Sequence, residues 1–465
     1  MIERLLRAHA TRLHRLYDRM PHPARNVLTS LRGIVLTRIR YSGEMYALLG
    51  ELRSHEKWDE SQIAAYQLQS IRQVVERARS TVPFYAGYPQ VDLRSLEDLA
   101  CFPVIDRETV RQDPDRLVSS SIPSHQLIRV GTTGTTGANL KVAYTAHVAR
   151  QGWAFRMRQW AWAGVQPRQS RVTLFGSRIV PPTRQRLPFW TYNAFERQAL
   201  MSIFHLSEQT APHYIAFLRK HQGELLEGFP SVLGILADFI LDRGETVPMR
   251  VVFTDGEPLY GFLREKIEKA FQTRVFDSYG MTESCGLVQE CEQRRMHLIP
   301  EYGYLEILDK DDHRQKPGDE GDLVWTGFVN TAMPLIRYRI GDRGCWQGGG
   351  SCPCGRAFPL VRPTITRESD LLRCPDGRIF SPRAINQILK GASSFRYCQF
   401  VQDQPAHVLV RAVAAGGAAL EELMRVRVDL QRLLGKGMQV TGQLAAGPIV
   451  RHGGKIPLII REAEL

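Results

Sequence analysis

The chain has 465 residues, of which 43% are hydrophobic and 23% are charged. This length exceeds what a single hydrophobic core usually supports and therefore predicts two or three domains. The composition is typical of a globular protein and excludes the disordered and fibrous classes. The sequence contains neither an apolar run of about 20 residues nor a secretory signal, so we expect a cytoplasmic protein.

The N-terminal segment, residues 1–57, is basic. The whole chain carries a net charge of +13, and its first 40 residues contain nine arginines against Glu3 and Asp18. Leucines at helical spacing in this segment are Leu5, Leu6, Leu13 and Leu16. A basic amphipathic segment can lie on an anionic membrane surface or bind a polyanion. Alternatively, it packs on the domain body and leaves its arginines in solvent.

Helix and strand patterns alternate from residue 58 onward. Residues 58–80 predict a helix that ends at the sequence TVPFY, with an apolar face of Ile63, Leu68, Ile71, Val74 and Val75. Strands are predicted in SRVTLFG, MRVVFT and TRVFDSYG, and helices in APHYIAFLRKHQGELLEG, SVLGILADFILDRG and LYGFLREKIEKAFQ. This alternation indicates an α/β domain with a substantial parallel sheet.

The character of the sequence changes after residue 300. YGYLEILD and GDLVWTGF predict two strands, and the loop GCWQGGGSCPCGR follows them. The last hundred residues predict a smaller mixed unit, with a domain boundary near Arg367.

A Gly/Thr-rich loop, GTTGTTG, occupies residues 131–137. Glycines allow the backbone to approach a ligand closely, and threonine hydroxyls can donate hydrogen bonds to anionic oxygens. The loop lacks the GK[ST] ending of the Walker motif. The pattern predicts a phosphate-binding loop of another kind.

Five further motifs follow this loop in order: FTDGEPL, FDSYGMTE, IRYRIGDRG, TRESD and RHGGKIPLIIRE. Together they resemble the adenylate-forming superfamily of acyl-CoA synthetases, luciferases and adenylation domains. Within it, the chain is similar to the phenylacetate-CoA ligase branch and its relatives associated with capsular polysaccharide biosynthesis. The resemblance extends from about residue 58 to the end. It implies an α/β fold with a large domain of layered sheets and helices, residues 58–366, and a small mobile α+β domain, residues 367–465.

The resemblance also implies how ATP is bound. The residues expected to close over the β- and γ-phosphates are Thr132, Thr133, Gly134, Thr135, Thr136, Gly137 and Lys141. Gly256, Glu257 and Pro258 would line the adenine, and Tyr279 would stack on it.

The same resemblance implies the catalytic residues. Thr282 would contact the α-phosphate, and Glu283 would hold Mg²⁺. Asp342 would accept hydrogen bonds from the ribose hydroxyls, which suits an acceptor-only carboxylate, and Arg367 would assist near the ribose at the hinge. Lys455 would be the catalytic lysine, bridging the substrate carboxylate and the α-phosphate.

The implied activity is ATP-dependent activation of a carboxylic acid to an acyl-adenylate, followed by transfer of the acyl group. Coenzyme A is the commonest acceptor in the family, but a separate carrier protein, a sugar hydroxyl or an amine stays open. Nucleic acid is not an expected partner. An aromatic acid is expected by analogy, and the pocket-wall candidates are Phe175, His205, Phe229 and Ser231.

A Cys/His set predicts a structural Zn²⁺ site. Cys291 and His297 are close in sequence, and Cys352 and Cys354 flank Pro353 much later. Thiolates and imidazole favour zinc, and members of the resembled branch often have a similar arrangement. The substitutes considered are Cys285 and Cys345, and the cysteines expected to be buried filler are Cys101, Cys374 and Cys398. Alternatively, all eight cysteines are reduced and unligated.

A different class of protein also fits part of the sequence. The basic N-terminus and the Cys/His set could belong to a non-catalytic, zinc-stabilised protein that binds a polyanion or a membrane surface. The discriminating feature is the complete set of Glu283, Asp342 and Lys455, because a degenerate enzyme is expected to lack at least one of them.

Overall fold

The computed structural model describes most of the chain. The described residues are 17, 20–132, 140–177, 179–181, 184–348, 351–364, 371–376, 378–380, 385, 388, 389, 392, 394–415, 417–451 and 456–461. The leucines of the predicted basic amphipathic segment lie outside this set.

Three helices begin the described chain: α1 (His22–Arg40), α2 (Gly43–His55) and α3 (Glu60–Thr81). Asp59 caps α3 by accepting a hydrogen bond from the backbone N–H of Gln62 at 2.8 Å. The buried side chains of α3 include Ile63, Ile71 and Val75, whereas Leu68 and Val74 are half-buried. The predicted helix and its apolar face are confirmed.

An eight-stranded sheet forms the centre of the large domain, in the order β11-β10-β9-β8-β7-β4-β6-β5. Its strands are β4 (Arg171–Leu174), β5 (Trp190–Asn193), β6 (Gln198–Met201), β7 (Leu225–Gly228), β8 (Val251–Asp255), β9 (Val275–Gly280), β10 (Leu287–Glu290) and β11 (Met296–Leu298). The five strands from β9 to β6 are mutually parallel, and the strands at the two edges are antiparallel. The predicted parallel sheet is therefore confirmed.

Helices cover both faces of this sheet. One face packs on α5 (Ala146–Trp162) and α2, and the other packs on α6 (Ala211–Lys220), α7 (Pro230–Leu241) and α8 (Gly261–Phe271). Successive residues of a strand point to opposite faces of the sheet. Neighbouring strand residues therefore pack into different hydrophobic cores, one on each face.

One sequence prediction in this region is wrong. The segment 211–228 was predicted to be helical throughout, but α6 ends at Lys220 and the remainder forms β7. Gly223 has a φ of +78°, which ends the helical path, and Leu225 and Leu226 then pack into opposite cores.

A second sheet has five strands, of which β1 precedes the first sheet in sequence and the other four follow it. Its order is β1-β14-β13-β12, with β15 paired to β14. The strands are β1 (Ile105–Asp106), β12 (Gly303–Leu308), β13 (Gly321–Gly327), β14 (Tyr338–Trp346) and β15 (Val361–Thr364). A separate hairpin consists of β2 (Ile128–Thr132) and β3 (Leu140–Tyr144), and α4 (Arg107–Gln112) follows β1. The two strands predicted after residue 300 are confirmed as β12 and β13.

The C-terminal residues form a unit with its own core. A four-stranded sheet in the order β20-β19-β18-β21 packs on α9 (Ala419–Leu434). Its strands are β18 (Phe395–Gln404), β19 (His407–Ala414), β20 (Gln439–Leu444) and β21 (Ile459–Arg461), and a short hairpin of β16 (Leu372–Arg373) and β17 (Ile379–Phe380) precedes them. The predicted α+β character is confirmed, whereas the boundaries after residues 57 and 366 stay predictions.

Helix α1 packs on the body of the large domain. The Ser30 hydroxyl donates to the backbone oxygen of Tyr192 at 3.3 Å, and the Tyr192 N–H donates to the side chain of Asn26 at 3.0 Å. Helix α1 therefore packs on the domain body, but not all of its arginines lie in solvent, because Arg25 is buried and Arg40 pairs with Glu196. Among the described residues, no helix is both long and apolar enough to cross a bilayer.

Candidate active site

A cavity of about 430 Å³ opens at the carboxyl ends of β4, β7, β8 and β9. In open α/β sheets this end of the strands is where ligands bind. The motif residues that line the cavity are Gly256, Glu257, Tyr279, Thr282, Glu283 and Asp342. Three motifs that lie far apart in sequence therefore meet around one space.

Tyr279 and Asp342 connect the two sheets at this cavity. The Tyr279 hydroxyl donates a hydrogen bond to the Asp342 carboxylate at 2.8 Å, and both side chains are buried. Tyr279 belongs to β9 of the first sheet, and Asp342 belongs to β14 of the second. The pairing fixes the carboxylate at the cavity wall, where it can accept hydrogen bonds from a ligand.

Glu283 is buried beside a donor and a cation. Its Oε1 accepts a hydrogen bond from the Tyr338 hydroxyl at 3.0 Å and lies 3.4 Å from Nη1 of Arg107. Burial and the neighbouring Glu283 carboxylate raise the pKa of Tyr338 far above its usual value, so that Tyr338 remains a donor at neutral pH. A carboxylate held in this way is suited to Mg²⁺, which prefers oxygen ligands.

Glu257 joins the large domain to the C-terminal unit. Its Oε2 accepts the N–H of Ser231 in the first turn of α7 at 3.1 Å, and its Oε1 accepts the N–H of Ile456 at 3.0 Å. Gly256 reaches the wall through a φ of +79°, a conformation that favours glycine. Pro258 follows in sequence and is not among the described residues that line the cavity.

Several predicted site residues lie outside the described part of the chain. They are Thr133, Gly134, Thr135, Thr136, Gly137, Arg367 and Lys455. Thr132 ends β2 opposite Leu140, and Lys141 is exposed in β3 opposite Gly131. The structure thus describes the strands on both sides of the Gly/Thr-rich loop.

The other end of the cavity is polar. Helix α5 contributes Arg156 and Gln159, and the strands contribute Glu227, Asp255 and Gln289. Arg156 lies 2.8 Å from the carboxylate of Glu227 and 3.5 Å from that of Asp255. Burial opposes ionisation of Glu227, but the guanidinium groups of Arg156 and Arg171 outweigh it and lower its pKa. The carboxylate of Glu227 is therefore charged at neutral pH.

The four pocket-wall candidates behave differently. Phe175 lines the cavity. The ring of Phe229 packs edge-on against the ring of Phe175, with the ring centroids 5.1 Å apart. His205 stacks on Phe189, and its two ring nitrogens contact the Ser202 hydroxyl and the Pro181 carbonyl at 2.7 and 3.1 Å. His205, Phe229 and Ser231 are not among the described residues that line the cavity, and burial lowers the pKa of His205, which fits a structural histidine.

The structure brings the predicted metal ligands together. One ligand atom from each of Cys291, His297, Cys352 and Cys354 lies within 4.8 Å of all the others. The Cys291 and Cys352 sulfurs are 3.7 Å apart, and the Cys354 sulfur is 3.4 Å from His297 Nε2. His297 Nδ1 contacts the Phe358 carbonyl at 2.9 Å, which orients the ring as a metal ligand requires. Burial lowers the pKa of His297, which favours the neutral form that binds metals.

The remaining cysteines are not part of this cluster. Cys374 and Cys398 are buried as predicted. Cys101 is exposed, so the prediction that it is buried filler is wrong; it lies at the end of a short 3₁₀ turn on the surface of the domain. Cys285 and Cys345 are buried and lie outside the four-residue cluster.

Comparisons with known proteins agree with the motifs. No family model matches the chain. Protein CapK of Staphylococcus aureus is 26% identical over 432 residues, which cover 89% of this chain and 91% of that protein. The phenylacetate-coenzyme A ligases of Thermus thermophilus and Pseudomonas putida are each 25% identical, covering 67% and 70% of this chain and 71% and 75% of their own lengths.

Among solved structures, a 2-hydroxyisobutyryl-CoA ligase in its postadenylation state superposes with a TM-score of 0.68. The match has 20% sequence identity and covers 88% of this chain and 91% of that one. The chain has the adenylate-forming fold.

Different states of that ligase match the chain unequally. The structure in the thioesterification state, with 2-HIB-AMP and CoA, superposes with a TM-score of 0.54, against 0.68 for the postadenylation state. Coverage of this chain is 88% in both cases.

Sequence reasoning missed several residues of the cavity. Arg107 and Tyr338 contact Glu283, and Arg156, Gln159 and Gln289 line the far end. Tyr338 lies inside the motif IRYRIGDRG, and its position four residues before Asp342 could have indicated it. Of the other four, Arg156 and Gln159 share α5, Arg107 and Gln289 lie on separate elements, and none belongs to a motif.

Proposed function

We propose that this protein is an ATP-dependent carboxylate-activating enzyme that forms an acyl-adenylate and transfers the acyl group to a thiol. The observation that carries this proposal is the convergence of Tyr279, Thr282, Glu283 and Asp342 around one cavity at the strand ends. The fold and the relatives named as acid-coenzyme A ligases support it.

The geometry suits the chemistry of adenylation. A substrate carboxylate oxygen would attack the α-phosphorus of ATP, and the bond to pyrophosphate would break, giving acyl-AMP and pyrophosphate. Negative charge accumulates in this transition state, so positioning and cations dominate the catalysis. We assign the ribose to Asp342, the α-phosphate to Thr282 and the divalent ion to Glu283. Bound Mg²⁺ would neutralise charge on the phosphates.

We propose coenzyme A as the acceptor. Its thiol sulfur would attack the acyl carbon, AMP would leave and the thiol proton would be released. A structurally similar ligase has been solved with an acyl-AMP and CoA, and several relatives are named for the same cofactor. We would assign the acceptor role to a carrier-bound thiol, a sugar hydroxyl or an amine only if acyl-AMP forms and coenzyme A does not react with the acyl-AMP.

We assign the catalytic lysine to Lys455 in the small C-terminal domain, residues 367–465, with the hinge near Arg367. The neighbouring Ile456 donates its N–H to Glu257 at the cavity wall, which supports this assignment. The Gly/Thr-rich loop would cover the phosphates, because β2 and β3 hold its two ends together.

Acid-dependent exchange of radiolabelled pyrophosphate into ATP tests the proposal. We expect exchange with at least one acid class, and a loss of at least about 100-fold in Lys455→Ala, because a cation at the transition state is removed. Lys436→Ala is the matched control, since Lys436 is an exposed lysine of the same unit. ATP-induced thermal stabilisation should persist in both variants. Absence of exchange with every acid, combined with salt-sensitive retention on heparin, would favour the non-catalytic polyanion-binding alternative.

We also propose that Cys291, His297, Cys352 and Cys354 hold a structural Zn²⁺. Three thiols and one imidazole match the closed ligand sets of structural zinc sites, with no position left for substrate. The ion would brace the segment after Glu283 against the segment after Asp342.

A membrane-surface contact through the N-terminus is a further proposal. Helix α1 exposes Val27, Leu31 and Val35 at 59%, 53% and 44%, with Arg32 and Arg38 exposed beside them. Apolar residues flanked by arginines suit an anionic lipid surface. Co-sedimentation with phosphatidylserine vesicles should fall in Leu31→Asp and not in Leu420→Asp, an exposed leucine of α9. Equal sedimentation of the two variants would exclude this contact.

We propose a cytoplasmic location. None of the eight cysteines forms a disulfide, and the sulfurs of Cys291 and Cys352 lie 3.7 Å apart without one, which suits a reducing compartment.

A further inference from the structure

We propose that Arg107 binds the β- and γ-phosphates of ATP and stabilises the pyrophosphate that leaves during adenylation. The inference rests on the proposed function and adds a catalytic residue to it that no motif indicates. It is carried by the position of Arg107 on the cavity wall, beside Glu283 and at the start of a helix that packs against β14 and β3.

The chain brings Arg107 to the cavity through β1 and α4. Strand β1 pairs in parallel with β14, and Asp106 lies opposite Arg339 in this pairing. Asp106 then caps α4 by accepting hydrogen bonds from the N–H and the hydroxyl of Thr109, both at 2.8 Å. Arg107 is the first residue of α4, so its backbone is fixed by the strand pairing before it and by the helix cap.

Helix α4 places Arg107 near the two segments that are assigned to the nucleotide. Its buried Val110 shares a hydrophobic core with Leu140 of β3 and Ile340 of β14. Leu140 is the first residue of β3 and follows the Gly/Thr-rich loop in sequence, and Ile340 precedes Asp342 by two residues. Arg107 therefore lies at the side of the cavity where the strand that carries Asp342 and the strand that follows the loop pack on one helix.

The guanidinium of Arg107 is accessible to a ligand. Its Nη1 lies 3.4 Å from Oε1 of Glu283, and 30% of its side chain is exposed. Glu283 is the one polar partner that Arg107 has among the described residues. A guanidinium carries several N–H donors, so most of them remain available for a ligand in the cavity.

The nucleotide end of the cavity carries carboxylates where phosphates are expected. We define this end by the lining motif residues Tyr279, Thr282, Glu283 and Asp342, and the polar end by Arg156 and its carboxylate neighbours. Glu283 and Asp342 are both buried, and a triphosphate is itself strongly anionic. Phosphates beside two carboxylates are repelled unless cations offset the charge. The divalent ion assigned to Glu283 would offset part of it, and a cationic side chain is the other source.

Of the described cations, Arg107 is the one placed to bind these phosphates. Among the described residues that line the cavity, the cationic side chains are Arg107 and Arg156. Arg156 belongs to the polar end, where the carboxylates of Glu227 and Asp255 lie 2.8 and 3.5 Å from it and neutralise it. Lys141 of β3 is exposed and is not among the described residues that line the cavity.

The chemistry of the leaving group suits a guanidinium. During adenylation a bond forms between the carboxylate oxygen and the α-phosphorus, and the bond from that phosphorus to the oxygen of pyrophosphate breaks. This oxygen keeps the electron pair, so negative charge increases on pyrophosphate in the transition state. The planar fork of Arg107 can donate two parallel hydrogen bonds to phosphate oxygens, which a lysine cannot do. AMP lacks the β- and γ-phosphates, so Arg107 should contribute to binding of ATP and not to binding of AMP.

Isothermal titration calorimetry with ATP and AMP tests the inference without knowledge of the acid. Each nucleotide is titrated into the wild type and into Arg107→Gln at saturating Mg²⁺. We expect Kd for ATP to rise at least about tenfold in the variant, because a charge-assisted hydrogen bond is lost, and Kd for AMP to stay within about twofold. The retained AMP affinity also shows that the variant is folded.

Two further variants separate phosphate binding from a structural role. Arg107→Lys retains the charge and loses the fork, so it should recover part of the ATP affinity that Arg107→Gln loses. Arg111→Gln is the matched control, because Arg111 lies one turn later in α4, pairs with Glu108 at the surface and is not among the described residues that line the cavity. Its affinities for ATP and AMP should equal those of the wild type.

Pyrophosphate exchange gives a second measurement. Arg107→Gln should raise KM for pyrophosphate about tenfold or more and lower kcat, whereas KM for the acid should stay within about twofold. A rise confined to KM for the acid would assign Arg107 to acid binding and overturn the inference.

The outcomes distinguish this inference from the proposed function. Equal losses of ATP and AMP affinity in Arg107→Gln would overturn the inference, because Arg107 would then support the fold of the site. Unchanged ATP affinity at saturating Mg²⁺ would also overturn it, because Arg107 would then act only through Glu283. In both cases exchange by the wild type would leave the proposed function intact. Absence of ATP binding and of exchange in the wild type would overturn the two together.

Discussion

The two ends of the cavity are built differently. At the nucleotide end, each predicted ATP-binding side chain belongs to a short motif: Tyr279 and Thr282 lie around the end of β9, and Asp342 lies in the middle of β14. At the polar end, Asp255 belongs to the motif FTDGEPL, whereas Arg156, Glu227 and Gln289 come from one helix and two strands and carry no common motif. The predicted ATP-binding residues are therefore all found in short motifs, whereas part of the polar end depends on how the sheet and α5 pack.

This difference has a functional consequence. Changes at the nucleotide end should affect every acid equally, because all acids share the adenylation step. Changes at the polar end should alter the order of preference among acids. The Cys/His cluster supports the segments that follow Glu283 and Asp342, so its loss should affect both ends.

The largest expected effect is loss of the metal cluster. Cys352→Ser should remove one of the four ligands that lie within 4.8 Å of each other. We expect bound zinc to fall well below one ion per chain and the free energy of unfolding to fall by more than about 4 kcal/mol, as for other losses of a structural metal. Metal analysis and denaturant unfolding measure the two quantities.

Cys345→Ser is the control for this prediction, because Cys345 is buried in β14 and lies outside the cluster. It should keep its zinc and lose only about 1 kcal/mol, as most single substitutions do. Equal metal content in the two variants, or a wild-type protein purified without zinc, would contradict the proposed site.

The next largest effect is expected for Asp342→Asn. The change keeps an acceptor for the Tyr279 hydroxyl at the same position and removes the negative charge that would bind the ribose hydroxyls. A hydrogen bond to a charged group contributes about 1.5–3 kcal/mol, so KM for ATP should rise about 10- to 100-fold. The order of preference among acids should not change, and a changed order would break the distinction between the two ends.

The residues of the site that lie in motifs could be predicted from the sequence, and those outside motifs could not. Residue type together with the family resemblance indicated the Cys/His set, and the motifs indicated Glu283 and Asp342. The place of Gln289 on the cavity wall could not be predicted, since it depends on the register with Ser278 and on the turn of α5 that Phe155 belongs to. Secondary structure was predicted well where the period was clear, and it failed at residues 221–228, where the chain turns through Gly223 after the end of α6 and β7 begins.

A separate effect, on stability and built up over several pH units, is expected at Asp277. Burial raises the pKa of this carboxyl from 3.8 to about 8, while the hydrogen bond from Thr254 opposes the rise. The folded chain therefore holds a proton that the unfolded chain releases above pH 4. Its contribution to stability should be complete below that pH and should fall by up to about 1.4 kcal/mol per pH unit until pH 8.

Asp277→Asn mimics the protonated carboxyl and should remove this pH dependence. Relative to the wild type, the variant should become more stable between pH 4 and pH 8, as measured by urea unfolding at each pH. Asp319→Asn, at an exposed aspartate, should show no such trend. A constant difference between Asp277→Asn and the wild type across this range would show that the carboxyl is ionised in the fold.

The smallest expected effect comes from Tyr338→Phe at the nucleotide end. The change removes the hydroxyl that donates to Glu283 at 3.0 Å, and Arg107 remains as the other partner of that carboxylate. We expect about a fivefold rise in the Mg²⁺ concentration needed for half-maximal exchange, because one hydrogen bond of about 1 kcal/mol no longer orients the ligand. Tyr85→Phe also removes a buried hydroxyl, which donates to the Pro334 carbonyl away from the cavity. If both variants shifted the Mg²⁺ dependence equally, the effect would reflect general loss of stability, and Tyr338 would have no specific role in positioning Glu283.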